Sequence, residues 1–171
     1  MLILYWTRLA IDKKSEVRKI ESPSGLTNMG TERNRVVVHF KGGKLLKGFT
    51  HDFTPTKGVF HLTSEREEDK GRVYELELEE LKAVFFVKTL DGDKDYVEKK
   101  RFEEVDEARL RGLKIRVEFY DGEIMRGISL GYSKGRSGFF ILPVDPEWNN
   151  ERVYVLASAL RDIKVGSAAQ K

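Results

Sequence analysis

The sequence predicts an all-β protein made of two tandem five-stranded small barrels joined by a short, partly helical linker. Two observations lead to this fold class. The stretch from residue 114 to 165 has a near copy upstream at residues 35–87, and an internal repeat of this length indicates that each copy is one structural unit. In both copies, apolar residues alternate with polar ones between glycine-containing turns, which is typical of half-buried strands.

The two copies can be paired residue by residue. In the first half of each copy the pairs are Val36 with Ile115, Val38 with Val117, Phe40 with Phe119, Gly43 with Gly122, Gly48 with Gly127 and Phe53 with Tyr132. A one-residue insertion in the second copy is then expected, so that the later pairs are Gly58 with Gly138, Phe60 with Phe140, Leu62 with Leu142 and Tyr74 with Tyr154. Leu81 and Leu160 close the series.

Length and repetition together predict four parts. These are a flexible N-terminal extension at residues 1–33, a first barrel at 34–90, a charged linker at 91–112 and a second barrel at 113–167. The extension has no counterpart before the second copy and shows no sustained strand or helix period. A second start at Met29 would remove most of it. We therefore expect deletion of residues 1–28 to leave the stability of the protein nearly unchanged.

Composition excludes several classes of protein. The chain is 40% hydrophobic and 35% charged, with a net charge of +3, as expected for a soluble globular chain. It has no cysteine, which rules out disulfide scaffolds, thiol catalysis and cysteine-based zinc sites. The apolar run at residues 2–6 is too short for a signal peptide or a membrane span. The sequence therefore predicts a cytoplasmic protein.

The first copy contains the signals of five short strands. They are expected at residues 36–40, 44–53, 59–63, 73–78 and 83–87. Gly42 and Gly43 provide a tight hairpin turn, and Gly48 interrupts the long second strand, as a bend or a close backbone approach requires. Residues 79–81 can form one helical turn before the last strand. A bent second strand is what closure of a very small barrel demands.

The second copy repeats this plan after the charged linker. Asp121 and Gly122 form a strong two-residue hairpin signal, and Gly127 again interrupts the second strand. The loop at residues 143–151 holds two prolines and two asparagines, which disfavour regular structure. One helical turn is expected at residues 157–159 before a last strand at 161–165. Five strands with a single turn before the fifth form the pattern of a Src-homology-like or Sm-like barrel.

The segments from Gly43 to Phe53 and from Gly122 to Tyr132 resemble the first signature of Sm-like proteins. That resemblance implies a bent second strand and a base-binding pocket for RNA. The Asp and Asn that follow the aromatic residue in RNA-binding Sm proteins are replaced here by Thr54 and Gly58, and by Ser133 and Ser137 in the second copy. The Arg-Gly pair of the second Sm signature is also replaced, by Leu160-Arg161-Asp162.

Residues 35–166 also resemble an uncharacterised bacterial family of paired small barrels. The shared features are Asp-Gly hairpins, a Gly-Phe-Phe third strand and an Asn-Asn-Glu-Arg loop. Members of that family are sometimes fused to PilZ domains, which bind cyclic di-GMP. The PilZ signature is missing from this chain, so the resemblance does not extend to binding of that messenger.

No catalytic or metal site is predicted, and no cofactor. His39, His51 and His61 all lie in the first copy, and alternation directs His39 and His61 away from the predicted core. The serines of the second copy have no histidine in their own repeat. Residues 131–138 have glycines and cations, but they join two strands rather than opening a helix, so they do not form a phosphate-binding loop.

The remaining candidate is a binding surface on loops or on an open sheet edge. Aromatic and Arg residues at such places commonly contribute most of the binding energy. One candidate group is Trp148 with Asn149, Asn150 and Arg152; a second is Tyr132 with Lys134 and Arg136. Alternatively, Trp148 folds back over a barrel, since Trp is highly buried on average.

These features predict a non-catalytic interaction or regulatory module of a bacterial cytoplasm that binds an unknown protein partner. The alternative is an Sm-like RNA-binding protein. Neither copy has the basic bias of a nucleic-acid footprint, because the excess of Lys and Arg lies in residues 1–35. Protein binding is therefore favoured over nucleic-acid binding.

Overall fold

The computed structural model describes residues 33–171, and all strands in that range belong to one antiparallel sheet. The strands are β1 (Asn34–Phe40), β2 (Leu45–Thr50), β3 (Val59–Ser64), β4 (Val73–Glu77), β5 (Leu81–Val87), β6 (Leu113–Phe119), β7 (Ile124–Leu130), β8 (Gly138–Pro143), β9 (Asn150–Leu156) and β10 (Leu160–Val165). Within the described residues the only helices are short 3-10 turns. They are Glu67–Asp69, Leu78–Glu80, Phe102–Glu104, Glu107–Arg109, Ala157–Ala159 and Gly166–Gln170. The prediction of an all-β fold is confirmed.

Both halves of the sheet use the same strand order. The full order is β10-β6-β7-β8-β9-β5-β1-β2-β3-β4. In each half the fifth strand pairs with the first, and the fourth strand lies at the far end. The halves are joined where β5, the fifth strand of the first copy, pairs with β9, the fourth strand of the second. The ten strands therefore form a continuous open sheet, whose two edge strands are β4 and β10.

The strand register corrects the residue pairing of the two copies. Gly48 pairs with Ser64 and Gly127 pairs with Pro143, so Phe60 corresponds to Phe139. The spacing is a constant 79 residues (36 to 115, 60 to 139, 81 to 160), and the predicted insertion is wrong. A slip of one residue moves a side chain to the other face of a strand.

The buried side chains of the two copies meet on opposite faces of β5 and together form one continuous hydrophobic cluster. On β5, Val84 and Phe86 pair with Val38 and Val36 on the face that forms the first core. Ala83 and Phe85 lie on the other face, across from Val155 and Val153 of β9. All residues of β5 are buried as a result. A strand that belongs to two cores explains the unbroken apolar run in the last strand of the first copy.

Gly48 and Gly127 occupy matching places in β2 and β7 where the next strand comes very close. A Cβ at Gly48 would lie 2.0 Å from the carbonyl oxygen of Thr63. A Cβ at Gly127 would lie 2.0 Å from the carbonyl oxygen of Leu142. Of the two alternatives that the sequence left open, a bend or a close backbone approach, the structure has the close approach at both glycines.

The linker at residues 91–112 contains two single 3-10 turns. It is held to the second copy by Asp145, which accepts hydrogen bonds from the Tyr96 hydroxyl (2.8 Å) and the Lys99 amide (3.0 Å). The predicted flexible extension at residues 1–33 lies outside the described residues, except for Arg33. Across residues 33–171, none of the helices has the length and apolar character needed to span a membrane.

Candidate functional site

The first predicted group of binding residues lies where the β8–β9 loop meets the linker. Trp148 is half-buried and packs on Tyr96, with ring centroids 5.4 Å apart. The side chain of Asn149 accepts hydrogen bonds from the amide and hydroxyl of Thr89 and donates one to its carbonyl oxygen. Asn150 pairs with Val87 in the β5–β9 ladder. Most of this group therefore fastens the loop to the end of β5.

Arg152 is the exposed member of that group, and it covers an aromatic surface. Its guanidinium carbon lies 4.5 Å from the ring centre of Phe86 and 5.3 Å from that of Phe140. A guanidinium in this position gains a cation–π attraction and shields the rings from water. Arg152 thus helps to close the first core at the joint between the copies.

Trp148, Asn149 and Asn150 also line a cleft of about 560 Å³ between the copies. Its apolar walls include Val37, Phe85 and Met125, and its rim carries charges of both signs. The cationic residues there are Lys47, Lys99, Lys100 and Arg126, and the acidic ones are Asp91, Glu98 and Glu123. The lining of the cleft thus holds cationic and acidic side chains in nearly equal number.

His39 forms part of the wall of this cleft. It points away from the first core, as alternation predicts, but its ring packs on Phe85 with centroids 4.3 Å apart. Burial in this position lowers the pKa of His39 to about 4, with an opposing effect from Glu123. Burial also raises the pKa of Glu98, on the linker side of the cleft. His39 is therefore neutral at pH 7 and cannot serve as a cationic contact.

The second predicted group, Tyr132 with Lys134 and Arg136, lines a separate groove of about 310 Å³. The structure does not bring the two predicted groups into one site. This groove lies between the β7–β8 loop and β10, whose other side is an open edge of the sheet. Its apolar surface comes from Tyr132 together with Phe139, Leu160 and Ile163.

The corresponding place in the first copy is filled. There, Phe53 packs edge-on against Phe60 with centroids 5.0 Å apart, just as Tyr132 packs against Phe139 at 5.0 Å. Phe53 has two further aromatic neighbours that come from the second copy. They are Phe140 at 6.2 Å and Tyr154 at 5.4 Å. Strands β8 and β9 thus cover the Phe53 site, whereas no strand covers the Tyr132 site in the described chain.

The groove beside β10 is mainly cationic. Lys134, Arg136 and Arg161 line it, against a single carboxylate from Asp162. Arg161 is ion-paired with Glu118, and Asp162 lies 3.8 Å from Arg116. Lys134 and Arg136 are exposed and form no ion pair within residues 33–171. An approaching carboxylate would therefore find two uncompensated cations.

The sequence-based prediction did not include several residues that line the groove, among them Phe139, Leu160, Arg161 and Ile163. A signal for them was present. At the 79-residue spacing, β10 has Asp162 and Lys164 where β5 has Ala83 and Phe85. The fifth strand is thus apolar in the first copy and polar in the second. This difference indicates that β5 has a neighbouring strand that β10 lacks.

Within residues 33–171, no three or more His, Asp or Glu side chains are arranged so that they could hold a metal ion. His61 instead lies between two carboxylates, with Nδ1 2.7 Å from Asp52 Oδ2 and Nε2 3.7 Å from Glu75 Oε2. Although partial burial favours the neutral acid, the hydrogen bonds from His61 lower the pKa of Asp52. This cluster links the end of β2 to β3 and β4.

The fold and the two clefts define a tandem-repeat, all-β protein in which one copy has a covered groove and the other an open one. The chain belongs to DUF6982, a family of unknown function, whose model matches residues 32–167. No curated protein and no solved structure matches it.

Proposed function

We propose that the protein is a non-catalytic interaction module of a bacterial cytoplasm that binds a segment of a partner protein in the groove beside β10. We also propose that its two halves are a pair of small barrels of the Sm-like and Src-homology-like kind. The repeated strand order and the single 3-10 turn before β5 and before β10 support this. Binding at an open edge strand requires no catalytic group, which is why we propose a non-catalytic role.

One observation carries the proposal: the first copy already binds a strand at this place. There β9 pairs with β5, and Tyr154 of β9 packs on Phe53. The second copy keeps the equivalent edge strand and the equivalent aromatic pair, Tyr132 and Phe139. An edge strand has unpaired backbone donors and acceptors, and extended peptides commonly bind proteins by pairing with such an edge.

The chain itself provides the probe for a first experiment. A labelled peptide with the sequence of residues 148–158, which contains β9, is titrated with the full-length protein and followed by fluorescence anisotropy. Saturable binding is expected for the wild type. Ser133→Trp, which fills the groove from its exposed loop, should weaken binding at least about tenfold, equivalent to about 1.4 kcal/mol. Thr56→Trp, in the corresponding loop of the first copy, is the matched control.

Two results would overturn the proposal. The first is failure of the peptide to bind the wild type. The second is equal binding of the peptide to the wild type and to Ser133→Trp, which would mean that the peptide displaces the chain's own β9 from β5. A salt-dependent shift of a uridine-rich oligomer, reduced by Lys134→Glu with Arg136→Glu, would favour the RNA-binding alternative instead.

A further inference from the structure

We infer that the occupant of the groove beside β10 is an acidic extended peptide with one aromatic residue, added to the sheet as an eleventh strand antiparallel to β10. This inference rests on the proposed function and names the chemistry of the partner. The β5–β9 pairing indicates how the peptide would lie beside β10, and the charges of the groove indicate which residues the peptide would contain.

The β5–β9 pairing fixes the place of the aromatic residue. In that pairing Tyr154 is opposite Val84, and its ring lies against Phe53. At the 79-residue spacing, Val84 corresponds to Ile163 and Phe53 to Tyr132. A bound strand with the same register would therefore place its aromatic side chain opposite Ile163, against the Tyr132 ring. Aromatic pairs gain energy beyond the burial of their surface.

The charges beside β10 define the residues that flank the aromatic one. The first copy has Pro55 and Lys57 where the second has Lys134 and Arg136. At these positions the groove of the first copy, which β8 and β9 fill, thus has fewer cations than the open groove of the second copy. Carboxylates beside the aromatic residue would meet Lys134 and Arg136, the two cations of the groove that form no ion pair within residues 33–171. Charge complementarity of this kind gives specificity and speeds association.

A second copy of this chain is a poorer fit for the same place. If β4 of another molecule paired with β10 as β9 pairs with β5, Leu76 would be opposite Asp162 and Tyr74 opposite Lys164. In the β5–β9 joint those positions are apolar and buried, with Ala83 and Phe85 on β5. A whole docking repeat would bury the charges of Asp162 and Lys164. A single peptide strand leaves both at the surface.

Three peptides test the inference on the full-length protein. Each contains Val-Tyr-Val-Leu from residues 153–156; the first has three Glu or Asp residues on each side, the second has Lys there, and the third is the acidic peptide with Tyr replaced by Ala. The acidic peptide should bind the wild type at least about tenfold more tightly than the Lys-flanked one. Replacement of Tyr by Ala should weaken binding about five- to tenfold.

Two charge-reversed double variants of the protein show which residues cause the preference for acidic flanks. Lys134→Glu with Arg136→Glu should abolish the preference for acidic flanks. Lys57→Glu with Lys94→Glu, which changes the net charge by the same amount outside the groove, should retain it. All four side chains are exposed, so both double variants should fold.

The outcomes separate the inference from the proposed function. If the β9 peptide binds in the groove but the flanking charges make no difference, the acidic partner is wrong while the proposed function stands. If no peptide binds, both are wrong. Sedimentation of the protein alone adds a third outcome. If the wild type is a dimer and Ser133→Trp is not, the occupant of the groove is a second copy of the chain rather than a peptide.

Discussion

His39 couples the stability of the protein to pH through burial of its neutral ring. The pKa of His39 is lowered from 6.5 to about 4, mainly by burial. Between these values the unfolded chain binds the proton and the folded one does not, so stability is complete above pH 6.5 and falls as the pH decreases toward 4. Given partial exposure, we expect a loss of about 2 kcal/mol over that range.

Urea unfolding of the wild type, His39→Gln and His51→Gln at pH 7 and pH 4 measures this contribution. The loss between the two pH values should be smaller in His39→Gln than in the wild type. His51, which is exposed, is the matched control, and His51→Gln should behave like the wild type. Equal pH dependence in all three proteins would show that His39 is not buried in its neutral form.

Gly127 should not tolerate even the smallest side chain. An added Cβ would lie 2.0 Å from a backbone carbonyl oxygen of the neighbouring strand, and a ladder of hydrogen bonds prevents that strand from moving away. We expect Gly127→Ala to lower the free energy of unfolding by about 3 kcal/mol. Gly42→Ala, where nothing lies within 4 Å, should change it by less than about 0.5 kcal/mol. Chemical denaturation of both variants provides the comparison.

The structure places the two groups of candidate residues in different surroundings. Tyr132, Lys134 and Arg136 do line a groove, because an aromatic residue and cations in a loop beside a strand end are visible in the sequence. Trp148 is half-buried on Tyr96, a contact with the linker that no local pattern indicates. Ile163 and Phe139 were missed because their role depends on which strand lies beside β10, and strand order is set by contacts distant in the sequence.

At the scale of elements, Lys82 fastens β5 to the β6–β7 hairpin of the second copy. Its side chain is 9% exposed, and its ammonium lies 2.6 Å from Asp121 and is also paired with Glu123. Burial alone would lower the pKa of Lys82, but the two carboxylates raise it. The same ammonium lies 4.5 Å from the ring centre of Phe119.

Removal of the carboxylates should therefore cost more than removal of the lysine. Asp121→Asn with Glu123→Gln leaves a buried ammonium without a counter-charge, which we expect to cost about 2 to 3 kcal/mol. Lys82→Met replaces the charge with an apolar chain of similar length and should cost less than about 1 kcal/mol. Thermal melts at pH 7 rank the variants, and a larger loss for Lys82→Met would contradict this account.

Most strands could be predicted from the sequence, but their arrangement could not. Alternation and the Gly-Gly and Asp-Gly turns located β1, β2, β6 and β7, because those signals are local. The register of β8 was predicted wrongly, since Phe139 and Phe140 are both aromatic and only the ladder shows that Phe139, 4% exposed, faces the second core. The joining of both copies into one sheet depends on the β5–β9 ladder, which crosses the linker.

At the scale of the whole molecule, the two copies should unfold together. Strand β5 contributes to both cores, so loss of either core exposes the apolar face that it shares with the other. We expect a single calorimetric transition whose van't Hoff and calorimetric enthalpies agree. Gly48→Ala in the first copy and Gly127→Ala in the second should each shift that one transition. Two transitions, each moved by only one substitution, would show that the copies are independent.

The position of β5 in the sheet also matters while the protein is being synthesised. The ribosome completes β5 about 70 residues before β9, which at roughly 5 to 20 residues per second is several seconds. During that time the first copy displays an apolar strand whose partner has not yet been made. On a polysome, neighbouring nascent chains display the same strand, so β9 of one chain can pair with β5 of another and give a domain-swapped dimer. Prompt folding of each newly synthesised molecule thus depends on its β9 reaching β5 before a neighbour's does.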